Sequence, residues 1–162
     1  MMNMSVQAVR DYLSRFGADG RIQEFTESSA TVELAAAVLG VIPARIAKTL
    51  SFKCGDGAML IVAAGDAKVD NRKFKDNFGF KAKMLSADEE LELVGHPVGG
   101  VCPFAVKDGV RIFLDDSLKR FDTVFPAAGS ASSAVELTCE ELFEFSGAEK
   151  WIDACKLPRI NL

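Results

Sequence analysis

The run "RIAKTLSF", residues 45–52, decides how the chain is read. Along an extended segment, side chains alternate between faces. Ile46, Lys48, Leu50 and Phe52 then share one side, and Ala47, Thr49 and Ser51 the other. The side that carries Lys48 is the one an apolar core would claim. Two readings are open. Lysines are rarely fully buried, so Lys48 can sit at the start of the strand and snorkel to water along its aliphatic stem. Alternatively the ammonium is held against the core because it has a partner or a task, since an unpaired buried charge is strongly disfavoured.

The surrounding sequence gives this strand its neighbours. It ends at the "CGDG" turn, and "AMLIVAAG" answers it, so residues 47–64 read as a hairpin. Upstream, Val6, Val9, Leu13 and Phe16 recur at helical spacing before Gly17, and "RIQEFTE" reads as a short strand. "TVELAAAVLG" reads as a helix with Thr31 as N-cap and Gly40 as terminator, and Pro43 suits a turn or the first position of a short helix. Downstream, "NRKFKDNF" reads as a helix closed by Gly79 and "KAKMLS" as a strand. Ser86 and Glu89 form a capping box for a helix over "ADEELELVG", with Glu89, Glu90 and Glu92 as its wet face. "GHPVGGVCPF" holds three glycines and two prolines and must be irregular loop. "GVRIFLDD", "DTVFPAAG" and "SSAVELT" read as strands, Thr138 and Glu141 cap a helix over "CEELFEFSG", and "AEKWIDACK" reads as a closing helix. Six or seven strands with about five helices, without strict βαβ alternation, favour an α+β domain around a mixed, strongly curved sheet. A single domain over residues 1–162 fits this length.

Composition narrows the function classes. Hydrophobic residues make up 49% and charged ones 26%, as in ordinary globular chains. No stretch approaches the roughly 20 apolar residues of a membrane span, and the N-terminus lacks a basic segment followed by a long apolar one, so cytoplasm is the expected compartment. Cys54, Cys102, Cys139 and Cys155 form no C-x-x-C pair and read as free thiols. His96 is the only histidine, which excludes a histidine-rich zinc site and routes any Ser-His or Cys-His catalysis through one residue. The net charge of −4 argues against general nucleic-acid binding. Residues 68–83 depart from that balance: Lys68, Arg72, Lys73, Lys75, Lys81 and Lys83 stand against Asp70 and Asp76, a local +4. The run is either a solvated face or a landing site for phosphates.

Motif searches leave little else. P-loop, dinucleotide, H-E-x-x-H and G-x-S-x-G patterns are absent. Cys102, six residues from His96, is a weak candidate nucleophile, because structural cysteines are usually inert. The "GGVCP" run is sharper: Gly99 and Gly100 leave backbone N–H groups unshielded and Pro103 stiffens the exit. Such a loop can point amides at a carbonyl oxygen or a phosphate, or be a tight turn and nothing more.

Together, "ELAAAVLGVIPARIAKTLSF", "GHPVGGVCPF" and "FDTVFPAAGS" resemble the YbaK/ProX family, freestanding relatives of the editing domain inserted in bacterial prolyl-tRNA synthetases, over about residues 22–146. The resemblance implies trans-editing: hydrolysis of the ester joining a wrong small amino acid to the 3′-terminal adenosine of a tRNA, with tRNA for proline the expected substrate. It places the family's essential lysine on Lys48, its G-x-x-x-P loop on Gly99 through Pro103, and a pocket-shaping glycine near Gly129 and Ser130. Thr49 stands where an alanine-editing subgroup has asparagine, and Cys102 where serine is frequent, so the amino acid removed is left open. An activated ester needs placement and oxyanion stabilisation rather than a protein nucleophile. Lys48 and the amides of Gly99, Gly100 and Val101 are the expected catalytic groups, with Thr49, Cys102, Pro103, Gly129 and Ser130 around the substrate and the basic stretch on the tRNA. No cofactor or metal is called for. The expected partners are misacylated tRNA and, for delivery, prolyl-tRNA synthetase, with no membrane. A non-catalytic module binding an aminoacyl-adenosine or nucleotide-like end is the alternative.

Overall fold

The computed structural model describes residues 4–26 and 31–158. Its centre is the hairpin of β2 (Ile46–Cys54) and β3 (Gly57–Ala64), antiparallel with Lys48 opposite Ala63 and Phe52 opposite Met59. Parallel partners flank it. β5 (Arg111–Asp115) lies beside β3, and β6 (Thr123–Pro126) lies beside β2. β8 (Leu137–Thr138) and β9 (Lys150–Ile152) complete a curled six-stranded sheet in the order β8-β6-β2-β3-β5-β9. β1 (Ile22–Glu24) pairs with β7 (Ser133–Val135), and β4 (Lys68–Val69) with β10 (Cys155–Lys156). The expected mixed α+β architecture is what forms.

Both faces of the hairpin are covered, as near-continuous apolar strands with parallel neighbours require. On the inner face, Ala47, Leu60, Val62 and Leu114 pack with Val9 and Leu13 of α1 (Met4–Ser14) and Leu142 of α5 (Cys139–Ser146). On the outer face, Phe52, Met59, Ile61 and Phe113 meet Phe74 of α3 (Asn71–Phe78). Phe74 is fully buried, its ring centroid 5.1 Å from that of Phe52 and 4.8 Å from that of Phe78. Truncating such a residue to alanine costs about 3–5 kcal/mol. α2 (Val32–Leu39) begins where expected, with Thr31 Oγ1 accepting from the Leu34 N–H at 3.1 Å.

Three local expectations are corrected. The stretch 148–156 forms β9 and β10 rather than a helix. The open edge of β5 takes β9 as a parallel partner, and the buried Asp115 carboxylate accepts the Ala154 N–H at 2.9 Å. Tertiary pairing overrides local helix propensity there. "KAKMLS" contributes one bridge, Phe52 to Met84, with the Lys53 N–H donating to Lys83 O at 2.8 Å. The Ser86–Glu89 capping box is present, but α4 (Ala87–Glu89) widens at once into a π-helical turn over Glu90–Val94. That turn takes Glu90 off the wet face and toward β2.

Candidate active site

A gap along the edge of β2 creates the site. β6 pairs with β2 only at Ile46 and Ala47, and the Met84 segment joins at Ser51 and Lys53. Between them, no strand among the described residues neighbours residues 48–50 on that edge. A cavity of about 270 Å³ opens at this gap. Because strand side chains alternate, residues from both faces reach it: Lys48 and Leu50 from one, Thr49 from the other. α2 lends Val32, Ala35 and Leu39, the 98–101 loop lends Gly99 and Val101, and Ala127, Ser130 and Ser133 close the far wall.

Lys48 neither snorkels freely nor sits in the core. Half-buried, its Nζ donates to Gly65 O at 3.3 Å and to Ala67 O. Burial lowers the ammonium's pKa, while Cys155, Asp66 and Glu33 act in the opposite direction. The turn holding those carbonyls is locked from behind: a Cβ on Gly65 would lie 2.1 Å from Pro43 O and 2.6 Å from Val32 Cγ1. Only glycine lets the α2 side approach so closely.

The loop wall is built from backbone. A Cβ on Gly100 would lie 2.6 Å from Gly129 O and 2.8 Å from Ser130 Cα. The Gly100 N–H donates to Pro97 O at 3.0 Å, which removes it from the expected set of oxyanion donors. The N–H groups of Gly99 and Val101 have no acceptor among the described residues, and both residues line the cavity. Ser130 and Ser133 tie the opposite turn, their hydroxyls 3.0 Å apart and the Ser130 N–H donating to Ser133 Oγ at 3.1 Å.

Cys102 and Pro103 do not belong to the cavity wall. Both are buried behind the loop, Cys102 with no exposed surface, and burial pushes its thiol up to about 12. A thiol so hard to ionise is no nucleophile at neutral pH. Gly129 is likewise buried and contributes by backing Gly100. His96 fixes the loop's start. Phe104 O can only accept, so Nε2 carries the proton and donates at 2.7 Å, and Nδ1 accepts from Ser5 Oγ of α1 at 2.5 Å. Burial holds this imidazole's pKa below its usual value.

A family model described as the aminoacyl-tRNA editing domain matches residues 26–145. The chain belongs to the aminoacyl-tRNA editing domain family. This editing domain is 55% identical over 154 residues to YwhH of Bacillus subtilis (strain 168), covering 94% of this chain and 98% of that one. It is 35% identical over 96 residues to the proline–tRNA ligase of Thermosipho africanus (strain TCF52B), covering 59% of this chain and 17% of the ligase. A solved structure described as a proposed trans-editing enzyme for prolyl tRNA synthetase superposes with a TM-score of 0.87 at 26% identity, covering 96% of this chain and 99% of that one.

The basic stretch of the editing domain divides. Lys73 donates to Asp153 Oδ1 and to Cys155 O, both at 2.9 Å, and so clasps α3 to the β9–β10 segment. That hydrogen bond to Asp153 raises its pKa. Lys68, Arg72, Lys75, Lys81 and Lys83 are exposed, with no ion pair among the described residues. Lys68 follows the Ala67 carbonyl that holds Lys48, and Lys83 precedes Met84 on the cavity rim. No helix of the described residues is long and apolar enough to cross a membrane. Neither Ser51 nor Glu90 was expected at the site, Glu90 having been read as part of a helix's wet face, yet Ser51 Oγ donates to Glu90 Oε1 beside the cavity. The polar Ser51 inside an apolar strand was the available signal.

Proposed function

We propose that this editing domain hydrolyses the ester of misacylated tRNA, with tRNA for proline carrying a wrong small amino acid as the substrate. The observation that carries the reading is the cavity at the β2 gap, with a cradled ammonium on one side and, on the other, two backbone N–H groups that have no acceptor among the described residues. Water adds to the ester carbonyl, the tetrahedral oxyanion meets the N–H groups of Gly99 and Val101, and the bond to the ribose oxygen breaks. Free amino acid and a tRNA with its terminal hydroxyl restored are released. Preorganised donors of this kind act where charge develops. Lys48, two of whose three donors are engaged by carbonyls, presents a fixed positive charge toward the terminal phosphate or the reacting ester.

Apolar Val32, Leu39, Ile46 and Phe125 shape the chamber, and its modest volume favours small acyl groups over bulky ones. In this reading the exposed cations of residues 68–83 meet the acceptor-stem backbone. Prolyl-tRNA synthetase is the proposed delivery partner, and the cytoplasm the proposed compartment. The test is release of labelled amino acid from tRNA charged with cysteine, alanine, serine or proline, under turnover conditions. Release of one misacylated class with proline spared supports the reading. Tight binding of charged tRNA without release supports the binding module instead.

A further inference from the structure

An aminoacyl ester differs from a peptidyl or N-blocked one by a free α-ammonium, a cation with three hydrogens that need acceptors. We infer that Glu90 receives this α-ammonium, making the domain selective for esters whose amino group is free. The inference rests on the deacylase reading for its substrate and names the contact that reading lacks.

Three observations converge. Glu90 lines the cavity, and its Oε1 accepts from Ser51 Oγ, a fully buried hydroxyl on the inner face of β2. Its Oε2 has no hydrogen-bond or ion-pair partner among the described residues, whereas neighbouring Glu89 pairs with Lys53 at 3.2 Å. Second, the helix changes from α to π geometry at Glu90 itself. Such wide turns are rare and occur often at functional sites, because they re-aim a side chain that a regular helix would send elsewhere. Third, Thr49 Oγ1, two residues from Ser51 on the same face of β2, is buried without a hydrogen-bond partner among the described residues. Buried polar atoms are nearly always satisfied, and an exception in a cavity wall marks a place for a ligand atom. A carboxylate oxygen and a hydroxyl oxygen together suit an ammonium. Among the described residues that line the cavity, Lys48 from the other face is the one cation, and its Nζ donates to the Gly65 and Ala67 carbonyls rather than to Glu90.

The test compares alanyl-tRNA with N-acetyl-alanyl-tRNA for the wild-type protein, Glu90→Gln and Ser51→Ala. Glu90→Gln is expected to lower kcat/KM on the free-amine substrate on the order of 10- to 100-fold, the scale of a charge-assisted hydrogen bond. The N-acetyl substrate, poor already, is expected to change little, so the selectivity ratio collapses. Ser51→Ala, which keeps the carboxylate but frees it, is expected to lower the ratio less. A loss equal on both substrates, or an unchanged ratio, overturns the assignment. Calorimetry with 3′-alanylamino-adenosine and its N-acetyl derivative tests the contact without hydrolysis. Preference for the free amine in wild type, absent in Glu90→Gln, supports it even if no tRNA is deacylated, which would sink the deacylase reading alone. Equal binding of both analogues, or of neither, overturns the assignment.

Discussion

The two walls of the cavity are made differently. The loop wall, Gly99 to Val101, is held by backbone against backbone, with Gly129 O and Ser130 Cα pressed on Gly100 and His96 anchoring the start. The β2 wall presents side-chain chemistry: Lys48 on its carbonyls, Thr49 without a hydrogen-bond partner among the described residues, Glu90 on Ser51. The first wall should fail through shape and the second through charge. Substitutions that separate shape from charge can break or sharpen this contrast.

The largest effect should come from the charged wall. Lys48→Ala is expected to lower single-turnover deacylation by on the order of 10²–10³, by analogy with loss of an oxyanion donor. The protein should stay folded. Because burial lowers the folded-state pKa of Lys48, the unfolded chain binds more protons between that lowered value and 10.5. Wild-type stability should therefore rise with pH across this window, and the alanine variant should lack that rise in thermal melts. Near-wild-type hydrolysis by the variant would end the proposed role. Lys48→Arg should rescue poorly, since a planar guanidinium cannot occupy the compact cradle of two carbonyls.

On the loop wall, Gly100→Ala should destabilise by about 1–3 kcal/mol through overpacking and lower activity with it. Denaturant melts beside kinetics check this, and an active, fully stable variant would mean that the backbone contact is dispensable. His96 gives the same wall a pH signature. Its folded pKa is lowered by burial, so the unfolded state binds the extra proton as pH falls below about 6.5. Stability should fall in that range, and His96→Gln should flatten the dependence.

Smaller effects are expected at the periphery. Lys75→Glu should raise the tRNA concentration needed and steepen no other parameter, with hydrolysis of a minimal acylated adenosine spared. Lys73→Glu should act on stability instead, since its partner Asp153 is a surface group and such pairs contribute up to about 1 kcal/mol. Cys102→Ser should have the least effect on rate, and a trapped thioester would refute that.

Much of this was legible in the sequence because it was local. Thr31, Ser86 and Thr138 cap helices through their own neighbours, and the hairpin follows from alternation and a glycine turn. Lys48 was conspicuous as a charge among apolar residues. What was illegible depended on distant pairing. "AEKWIDACK" becomes strand because β5 offers an edge, and Glu90 turns inward because Ser51, 39 residues away in sequence, offers a hydroxyl. Cys102 and Pro103 were drawn toward the cavity by their place in the loop, but the loop presents its glycine side there and buries its thiol.

That buried thiol makes the protein its own stopwatch. Cys102 has no exposed surface, and Cys155 is buried too, whereas Cys54 and Cys139 are partly accessible. A small thiol reagent added to the native protein would label the accessible pair first. It reaches Cys102 only in molecules whose 96–104 segment has momentarily lifted from the core. The ratio of that slow labelling rate to the rate for a free thiol is the equilibrium constant of the opening. Repeated with a charged tRNA end bound, the same measurement would report in free-energy terms how firmly an occupant holds the loop shut.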